Sequence, residues 1–255
     1  MPWSLPDTVR FDKLTSPEID ALDRERTILV LPTGCTEQQG PHLPVDGDTF
    51  LVELFLGEAA LAARAEGIVA YLLPALPYGP AEEHMAFAGT VSLSFETHLR
   101  IVKEALHSLA RHGFRKLLVA MGCGGHHCLP AAMEARAELR QAGVDAKIWA
   151  IGPGDAYYRI ACDVFDWEPA DIHAGEFPTS IFLARRPDDV RRDRLGEGRP
   201  FDATKVPDAW FTDEVDPQGF AGDPRRATAE LGEQLIERVV AHWLGELRRI
   251  DQTPD

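Results

Sequence analysis

The stretch TILVLPTGCTEQQGPHLPVDGDTF, residues 27–50, decides the fold class of this chain. Its first seven residues, Thr27 to Thr33, are apolar or β-branched and end at Gly34, which predicts a buried β-strand that feeds a loop. The polar loop continues to Asp48, and the run FLVELFLGEAALAARAEG that follows Thr49 predicts a helix that stops at Gly67. The predicted order is therefore strand, loop, helix.

The same order repeats along the chain. Strands are predicted at IVAYLLPAL (68–76), KLLVAMG (116–122) and DAKIWAIG (145–152), and helices at THLRIVKEALHSLARHG (97–113) and from Pro130 to Ala142. Strands that are apolar almost throughout and alternate with helices indicate a mostly parallel sheet covered on both faces. We therefore expect an α/β fold, a three-layer α/β/α sandwich, formed by residues 1–255 as a single domain.

The C-terminal part of the chain shows two further patterns. The segment from Ile181 to Arg225 is charged and rich in proline, which indicates an irregular surface segment. The run ATAELGEQLIERVVAHWLGELRRI (227–250) has apolar residues every three or four positions and predicts a closing amphipathic helix. In a parallel sheet the loops at the carboxyl ends of the strands meet in one crevice, so we expect the polar loops to lie together there.

Composition and charge narrow the classes of function. The chain has 255 residues, of which 45% are apolar, enough for a buried core. Its 41 acidic and 26 basic residues give a formal charge of −15, so we expect neither nucleic acid nor a membrane surface as a partner. Without a long apolar run or a cleavable leader, the sequence predicts a soluble, cytoplasmic protein. We expect its four cysteines, Cys35, Cys123, Cys128 and Cys162, to be free thiols.

Three polar clusters carry groups that bind metal ions or transfer protons. The loop after the first strand contains Glu37, His42 and Asp48, whose oxygen and nitrogen atoms are ligands for divalent cations. The turn GCGGHHC (122–128) adds softer sulfur and imidazole ligands, and HAGEFPTS (173–180) adds one more imidazole and carboxylate. Taken singly, these clusters are also typical of a solvated loop and of glycine-rich or polar turns that start a helix.

In their order and spacing, these segments resemble the creatininase family. The first loop is similar to the family pattern G-x-T-E-Q-H-G-P-H-L-P-x-x-x-D, the glycine turn to N-G-H-G-G-N, and the third cluster to H-A-G-x-x-E-T-S. PYGPAEEH (77–84) with FAGTVSL (87–93) resembles a second signature of the family, and residues 222–228 resemble G-D-P-x-x-A-T. The resemblance implies a creatininase-like sandwich fold and a metal-dependent amidohydrolase, in which Glu37 and Asp48 match metal ligands and Asp48 matches the bridging carboxylate.

Several positions depart from the family pattern, and they fall on its chemistry. Gln39 stands where the family has a histidine ligand, and Cys123 stands where it has another. Pro178 replaces the glutamate of E-T-S, and Gly125 lies where some members carry a glutamate. An intact two-metal site is therefore not expected.

Neighbouring residues offer a replacement site for one ion. Glu37, Asp48, Cys123 and His126 would together hold a divalent cation, for which zinc is expected and manganese or iron are alternatives, with Glu176 as a further candidate ligand. The competing interpretation is that Cys123 is a small packed residue, that His126 caps the next helix, and that no metal binds.

The resemblance also suggests catalytic roles, which the residues leave open. His173, which matches the H-A-G histidine, is the first candidate for the general acid that protonates the leaving nitrogen. Glu176 is a candidate general base, and His127 a supporting group or a donor to the substrate. His42 and His84 match signature positions that suggest loop architecture and pocket walls. Trp167, Trp210 and Phe211 either line a pocket or pack as ordinary aromatic residues.

Three functions compete on this sequence. The leading one is a metal-dependent amidohydrolase that cleaves a C–N bond in a small cyclic or linear amide. The second is a metal-independent enzyme with Cys123 as nucleophile and His126, His127 or His173 as its base. The third is a non-catalytic descendant that binds a ligand. The resemblance further implies a homo-oligomer, since members of the family commonly form hexamers.

Overall fold

A parallel β-sheet forms the centre of the computed structural model, which describes residues 3–165, 173–198 and 201–254. In register, Ile28 pairs with Ala70 on one side and with Lys116 on the other, and Lys116 pairs with Lys147. The second strand is shorter than predicted because the ladder reaches Pro32 of β1, which has no N–H to donate to β2 beyond Val30. The strands, in the spatial order β2-β1-β3-β4, are β1 (Ile28–Thr33), β2 (Ala70–Leu72), β3 (Lys116–Met121) and β4 (Lys147–Ile151).

Helices connect and cover the strands. The α-helices of the described residues are α1 (Ser16–Asp20), α2 (Gly47–Ala65), α3 (Phe95–Arg111), α4 (Leu129–Gln141), α5 (Gly154–Phe165), α6 (Glu176–Arg185), α7 (Thr212–Val215) and α8 (Ala229–Asp251). Single 3-10 turns lie at Asp7–Val9, Phe11–Lys13, Glu82–His84, Pro187–Asp189, Arg192–Arg194, Ala203–Lys205 and Pro224–Arg226. No helix among the described residues is long and apolar enough to cross a lipid bilayer.

The sheet separates two hydrophobic layers, because successive side chains of a strand point to opposite faces. Val30 of β1 packs in the layer formed with α2, α5, α6 and α8, which includes the fully buried Trp243. Leu29 and Leu31 pack in the opposite layer with α3 and α4. This arrangement confirms the predicted three-layer α/β/α sandwich with a parallel sheet.

The structure corrects two predictions in the second half of the chain. Helix α5 (Gly154–Phe165) was not predicted, and the prediction of an irregular surface segment from Ile181 is wrong over its first residues, which belong to α6. Pro178 is compatible with α6 because it lies in the first turn, where backbone N–H groups have no partner within the helix. Ile181, Phe182 and Leu183 are consecutive and all buried, so the segment lacks the periodicity of an amphipathic helix.

The topology brings two loops together. Strand β1 lies between β2 and β3, so the chain changes direction across the sheet at this point, which is where open α/β sheets bind ligands. The loop after β1 and the turn after β3 leave neighbouring strands at the same edge. The backbone N–H of Gly122 donates to the carbonyl of Thr33 over 2.7 Å and joins the two.

Candidate active site

A cavity of about 480 Å³ is lined by the loop after β1, the first turns of α2 and the turn after β3. Its polar lining includes Glu37, Gln39, Asp48, Cys123 and His173, together with Glu83 and His84. Apolar side chains, among them Val52, Phe55, Tyr157, Phe177 and Trp210, form much of the remaining wall. Among the described residues that line the cavity, none is lysine or arginine. The cavity therefore combines an acidic polar part with apolar walls.

Glu37 and Asp48 reach the cavity from adjoining parts of the chain. Glu37 lies in the loop after β1, and Asp48 lies in the first turn of α2. A side chain at position 34 would meet the Cα atom of Thr49 at 2.5 Å, so only glycine lets this loop approach α2 so closely. The close approach places the two carboxyl groups side by side.

The two carboxyl groups have more acceptor oxygens than donors to satisfy them. No protein group of the described residues donates to Glu37 Oε2 or to Asp48 Oδ2, although both atoms are buried. Burial, followed by the negative charge of Asp48, raises the pKa of Glu37 well above its usual range. Burial likewise raises the pKa of Asp48 to about 6, although contact with Glu37 and the hydrogen bond from Gln39 lower it. A shared proton or a cation would relieve this arrangement.

Two thiols complete this part of the site. The Sγ atoms of Cys35 and Cys123 lie within 4.8 Å of each other and of carboxylate oxygens of Glu37 and Asp48. Both thiols are free. The hydrogen bond with Cys35, followed by burial and the charge of Asp48, raises the pKa of the Cys123 thiol well above its usual range. Cys123 therefore stays protonated at neutral pH unless a cation is bound.

His173 and His84 contact Glu37 on its other side, but with different tautomers. His173 Nε2 donates to the carbonyl of Gln38 at 2.7 Å, which leaves the lone pair of Nδ1 facing Glu37 Oε1 at 3.5 Å. The backbone N–H of Gly40 donates to the side-chain oxygen of Gln38 at 2.8 Å, which fixes the orientation of this amide group. The amide nitrogen of Gln38 therefore faces His84 Nδ1 at 3.1 Å. His84 Nδ1 is therefore an acceptor, and His84 Nε2–H points to Glu37 Oε1 at 3.4 Å. The two rings stack at 4.1 Å between centroids.

His126, predicted as a metal ligand, lies behind the thiol pair. Its Nδ1 is 2.8 Å from the hydroxyl oxygen of Thr33, and its Nε2 is 3.3 Å from Cys35 Sγ. The ring is fully buried and does not line the cavity. Cys35, Cys123 and His126 still form a second set of possible ligand atoms within 4.8 Å of one another. The structure thus brings His126 to the cluster through Cys35, which lies between it and the carboxylates.

Other predicted site residues lie away from the cavity. Glu176 is buried in the first turn of α6, where its Oε2 accepts from the backbone N–H of Asp223 at 2.9 Å. His127 is exposed and stacks on Phe95 at 6.3 Å between centroids. Neither residue lines the cavity, so the roles predicted for them in catalysis have no geometric support. His42 also lies outside it and connects the loop after β1 to Thr179 of α6 over 2.7 Å.

The positions that depart from the family pattern line the cavity. Gln39 donates from Nε2 to Asp48 Oδ1 at 3.3 Å, so it supports the carboxylate. A side chain built at Gly125 would begin 3.4 Å from Glu83 Oε1, so the Glu83 carboxylate occupies part of the space that a glutamate at 125 would use. Pro178 contributes to the apolar wall.

The aromatic residues divide between the cavity and the surface. Trp210 lines the cavity, whereas the Phe211 side chain is exposed, and Trp167 lies outside the described residues. Tyr157, on the unpredicted helix α5, also lines the cavity. Its hydroxyl accepts from the indole N–H of Trp243 at 2.7 Å, which connects the cavity wall to the core of α8.

Replacement of Tyr157 by phenylalanine is expected to lower the free energy of unfolding by about 1–3 kcal/mol, because it leaves the buried Trp243 N–H without an acceptor. Urea unfolding followed by circular dichroism measures the change. Tyr78→Phe is the matched control, since the Tyr78 side chain is 46% exposed. An equally small effect in both variants would show that the Trp243 contact does not contribute to stability.

Acid is expected to destabilise the protein through its buried imidazoles. Burial, with a smaller contribution from His173, lowers the pKa of His42 to about 4. Since this folded-state pKa lies below the unfolded value near 6.5, His42 contributes stability that is present above about pH 6.5 and is lost as the pH falls towards 4. At pH 5 the loss due to His42 amounts to about 2 kcal/mol.

The comparison of His42→Gln with the native protein tests this contribution. The carboxyl groups titrate in both proteins, so their effect on the pH dependence of stability cancels in the difference. Between pH 7 and pH 5, chemical denaturation should show the native protein losing about 2 kcal/mol more than the variant. The exposed His112, at the end of α3, provides the control His112→Gln. Parallel pH profiles for the native protein and both variants would be incompatible with a neutral, buried His42.

The donor set at the cavity fits a divalent cation. Two buried carboxylates with oxygens that lack donors, and at least one thiol beside them, are ligands that zinc and related cations prefer. The set of Glu37, His84 and His173 also lies within 4.8 Å, but His84 presents an N–H rather than a lone pair to its centre. The carboxylate–thiol cluster is therefore the better cation site, and His84 positions Glu37 by hydrogen bonding.

Sequence reasoning missed Cys35 and Glu83. Cys35 was counted only as a free thiol, yet it precedes Glu37 by two positions in a loop without regular structure. Side chains two positions apart on an extended backbone point to the same side, so the spacing from Glu37 was a signal that Cys35 lies near the site. Glu83 was quoted within the second signature, but no feature of the sequence indicated that it would face Gly125.

Comparisons with known proteins identify the family to which the chain is similar. The family model for creatininase, described as creatinine amidohydrolase, matches residues 12–247. The chain is 31% identical over 236 residues to a mycofactocin precursor peptide peptidase of Mycobacterium ulcerans, covering 89% of this chain and 87% of that protein. It is 32% identical over 232 residues to a creatinine amidohydrolase of Pseudomonas putida, covering 82% and 84%.

Solved structures give the same result. The structure described as "Creatininase Mn" superposes with a TM-score of 0.82 at 27% identity and covers 96% of this chain and 99% of that chain. Fold, family match and relatives therefore agree with the resemblance seen in the motifs, and the relatives named above are hydrolases. The chain belongs to the creatininase family.

Proposed function

We propose that this protein is a metal-dependent hydrolase that cleaves an amide C–N bond in a small molecule or a short peptide. One observation carries the proposal. Glu37 Oε2 and Asp48 Oδ2 are buried, lack donors among the described residues, and lie beside Cys123 in the lining of a cavity. Such an arrangement is costly in the absence of a cation and is typical of a metal site.

Glu37, Asp48 and Cys123 would hold the cation. When bound, a divalent cation lowers the pKa of water towards neutrality and polarises a carbonyl group. Gln39 keeps Asp48 oriented through its hydrogen bond to Oδ1, and His84 does the same for Glu37 through Nε2–H. We propose zinc as the cation, because a cysteine replaces a histidine ligand of the family.

His173 would transfer the proton. Its Nε2–H is held by the carbonyl of Gln38, so the proton is exchanged at Nδ1, which lies beside Glu37 in the cavity lining. Burial lowers the pKa of His173 to about 4, so the ring is neutral at pH 7 and accepts a proton from water first. It then returns this proton to the departing nitrogen.

The cavity favours neutral or cationic substrates with an apolar part. Its described lining contains the carboxylates of Glu37, Asp48 and Glu83 but no lysine or arginine, which disfavours an anionic substrate. Tyr157, Phe177 and Trp210 offer apolar surface to the rest of the molecule. The relatives named for creatinine and for a precursor peptide extend our proposal from small cyclic or linear amides to peptides.

The thiol chemistry of Cys123 argues against the metal-independent alternative. A cysteine nucleophile needs a lowered pKa or an adjacent base, whereas contact with Cys35 and burial raise the pKa of Cys123. The imidazole that approaches the thiol pair, His126, contacts Cys35 rather than Cys123, at 3.3 Å.

A reconstitution assay tests the proposal. Protein purified without a metal-affinity column is stripped with a chelator and reloaded separately with zinc, manganese, iron or cobalt. Hydrolysis of creatinine, other cyclic amides and short neutral peptides is then followed by mass spectrometry. We expect activity that is lost on stripping and restored by metal, and a loss of about 10²–10⁴-fold in kcat for His173→Gln.

His127→Gln is the matched control, since His127 is exposed and outside the cavity, and it should keep full activity. Hydrolysis that survives stripping would reject metal dependence and direct attention to Cys123. Stoichiometric metal without turnover of any amide would instead favour the non-catalytic, ligand-binding interpretation. A homo-oligomer, hexameric as the family resemblance suggests, and a cytoplasmic location remain predictions.

A further inference from the structure

Cys35 lies directly beneath the cavity lining. The residue is fully buried and does not line the cavity, whereas Glu37, Asp48 and Cys123 do. Its Sγ atom nevertheless lies within 4.8 Å of the ligand atoms of all three. The family pattern G-x-T-E leaves this position unspecified, so no role for Cys35 follows from the resemblance.

The four atoms have a spacing that suits one zinc ion. Zinc bonded at about 2.3 Å to sulfur and about 2.0 Å to oxygen needs donor separations of roughly 3.3–3.8 Å when its coordination is tetrahedral. The sulfur atoms of Cys35 and Cys123 and the oxygens of Glu37 and Asp48 all lie within 4.8 Å of one another. Contraction of each separation by no more than about 1.5 Å therefore brings the set to zinc-ligand geometry.

Nearby neutral groups would stabilise the negative charge of such a site by hydrogen bonding. His126 Nε2 lies 3.3 Å from Cys35 Sγ, and His84 Nε2–H and the Gln39 amide face Glu37 and Asp48 at 3.4 and 3.3 Å. Hydrogen bonds of this kind orient metal ligands and stabilise their charged forms. His126 is thereby a positioning residue for Cys35 rather than a ligand.

We propose that Cys35 is a second sulfur ligand, and that the pair of Cys35 and Cys123 makes the site select zinc and similar thiolate-binding cations over manganese. Thiolates favour softer cations, whereas manganese favours carboxylate and water oxygens. Cys35 would reach the ion from the side opposite the cavity, because it does not line the cavity whereas the other three ligands do. The inference rests on the metal site of the proposed function and adds to it a second sulfur ligand and the selectivity that the pair would give.

Cobalt(II) spectroscopy tests the thiolate pair without an activity assay. The four cysteines are first confirmed as reduced, and metal-free protein is titrated with cobalt(II) while the near-ultraviolet sulfur-to-cobalt charge-transfer band is recorded. We expect the band to fall to about half in Cys35→Ser and in Cys123→Ser, because each removes one of two thiolates. Cys162→Ser, on α5 and outside the cluster, should keep the full band.

Competition between zinc and manganese provides the second measurement. The preference for zinc over manganese should fall by at least about 100-fold in Cys35→Ser, because serine offers an oxygen atom in place of the sulfur. Circular dichroism confirms that each variant is folded. A full band and unchanged preference in Cys35→Ser, with both lost in Cys123→Ser, would overturn the role of Cys35 but leave the metal site intact. If cobalt does not bind even to the native protein, the proposed metal site fails as well.

Discussion

Replacement of Asp48 by asparagine is expected to stabilise the metal-free protein and to abolish stoichiometric metal binding. Burial raises the pKa of Asp48 to about 6, so above that pH its charge destabilises the metal-free fold. Relative to the usual value of 3.8, this shift corresponds to about 2–3 kcal/mol at pH 8, which vanishes below about pH 4. The melting temperature of the metal-free variant should rise by roughly 4–12 °C at pH 8.

Zinc should reverse the order of the melting temperatures of the native protein and Asp48→Asn. Loss of a residue that merely supports a ligand weakens metal binding about 10–100-fold, so loss of the ligand itself should exceed this range. Saturating zinc should therefore raise the melting temperature of the native protein but not that of Asp48→Asn. Calorimetric scans with and without zinc give both results. Asp46→Asn, which removes only the surface ion pair with Arg186, is the matched control and should change stability by less than about 1 kcal/mol.

If Asp48→Asn destabilises the metal-free protein, the two carboxyl groups are not in conflict and the argument for a cation loses its basis. If the variant still binds zinc with native affinity, Asp48 is not a ligand.

Gly232→Ala is expected to lower the free energy of unfolding by at least about 3 kcal/mol. A methyl group at this position of α8 would lie 2.0 Å from the carbonyl oxygen of Ser180 on α6. Since the obstacle is backbone, no rotamer change relieves it, and the effect should reach the upper part of the range for overpacked cores. Urea unfolding of the variant measures the loss.

Gly245, on the same helix, provides an internal control. A methyl group at 245 would meet no atom within 4 Å, and alanine is the better helix former. Gly245→Ala should therefore raise the free energy of unfolding by roughly 0.5–1 kcal/mol. Changes of the same sign in both variants would contradict the close packing of α6 against α8.

The strands were predictable because their sequence pattern is local. In β1 and β3 nearly every residue is buried, which requires the continuous apolar runs that the sequence shows. Helix α6 was not predictable in the same way. Its residues 181–183 are buried in succession because α8 covers one side of the helix and the core the other, and this packing leaves no periodic signal.

The site was predictable only where ligands share one loop or match the family pattern. Glu37 and Asp48 were expected together, and the structure places their carboxyl groups side by side in the cavity lining. Cys35 contacts Cys123 across a large separation in sequence, which depends on the pairing of β1 with β3. The position of His126 behind Cys35 depends on its contact with Thr33, which no spacing rule contains.

Anomalous X-ray diffraction at the zinc absorption edge, from crystals of the zinc-loaded protein, tests the central claim most directly. We predict one peak per chain, at about 2.0–2.3 Å from carboxylate oxygens of Glu37 and Asp48 and from Cys123 Sγ. A peak among Glu37, His84 and His173 instead, or the absence of any peak in the cavity of fully loaded protein, would contradict the account.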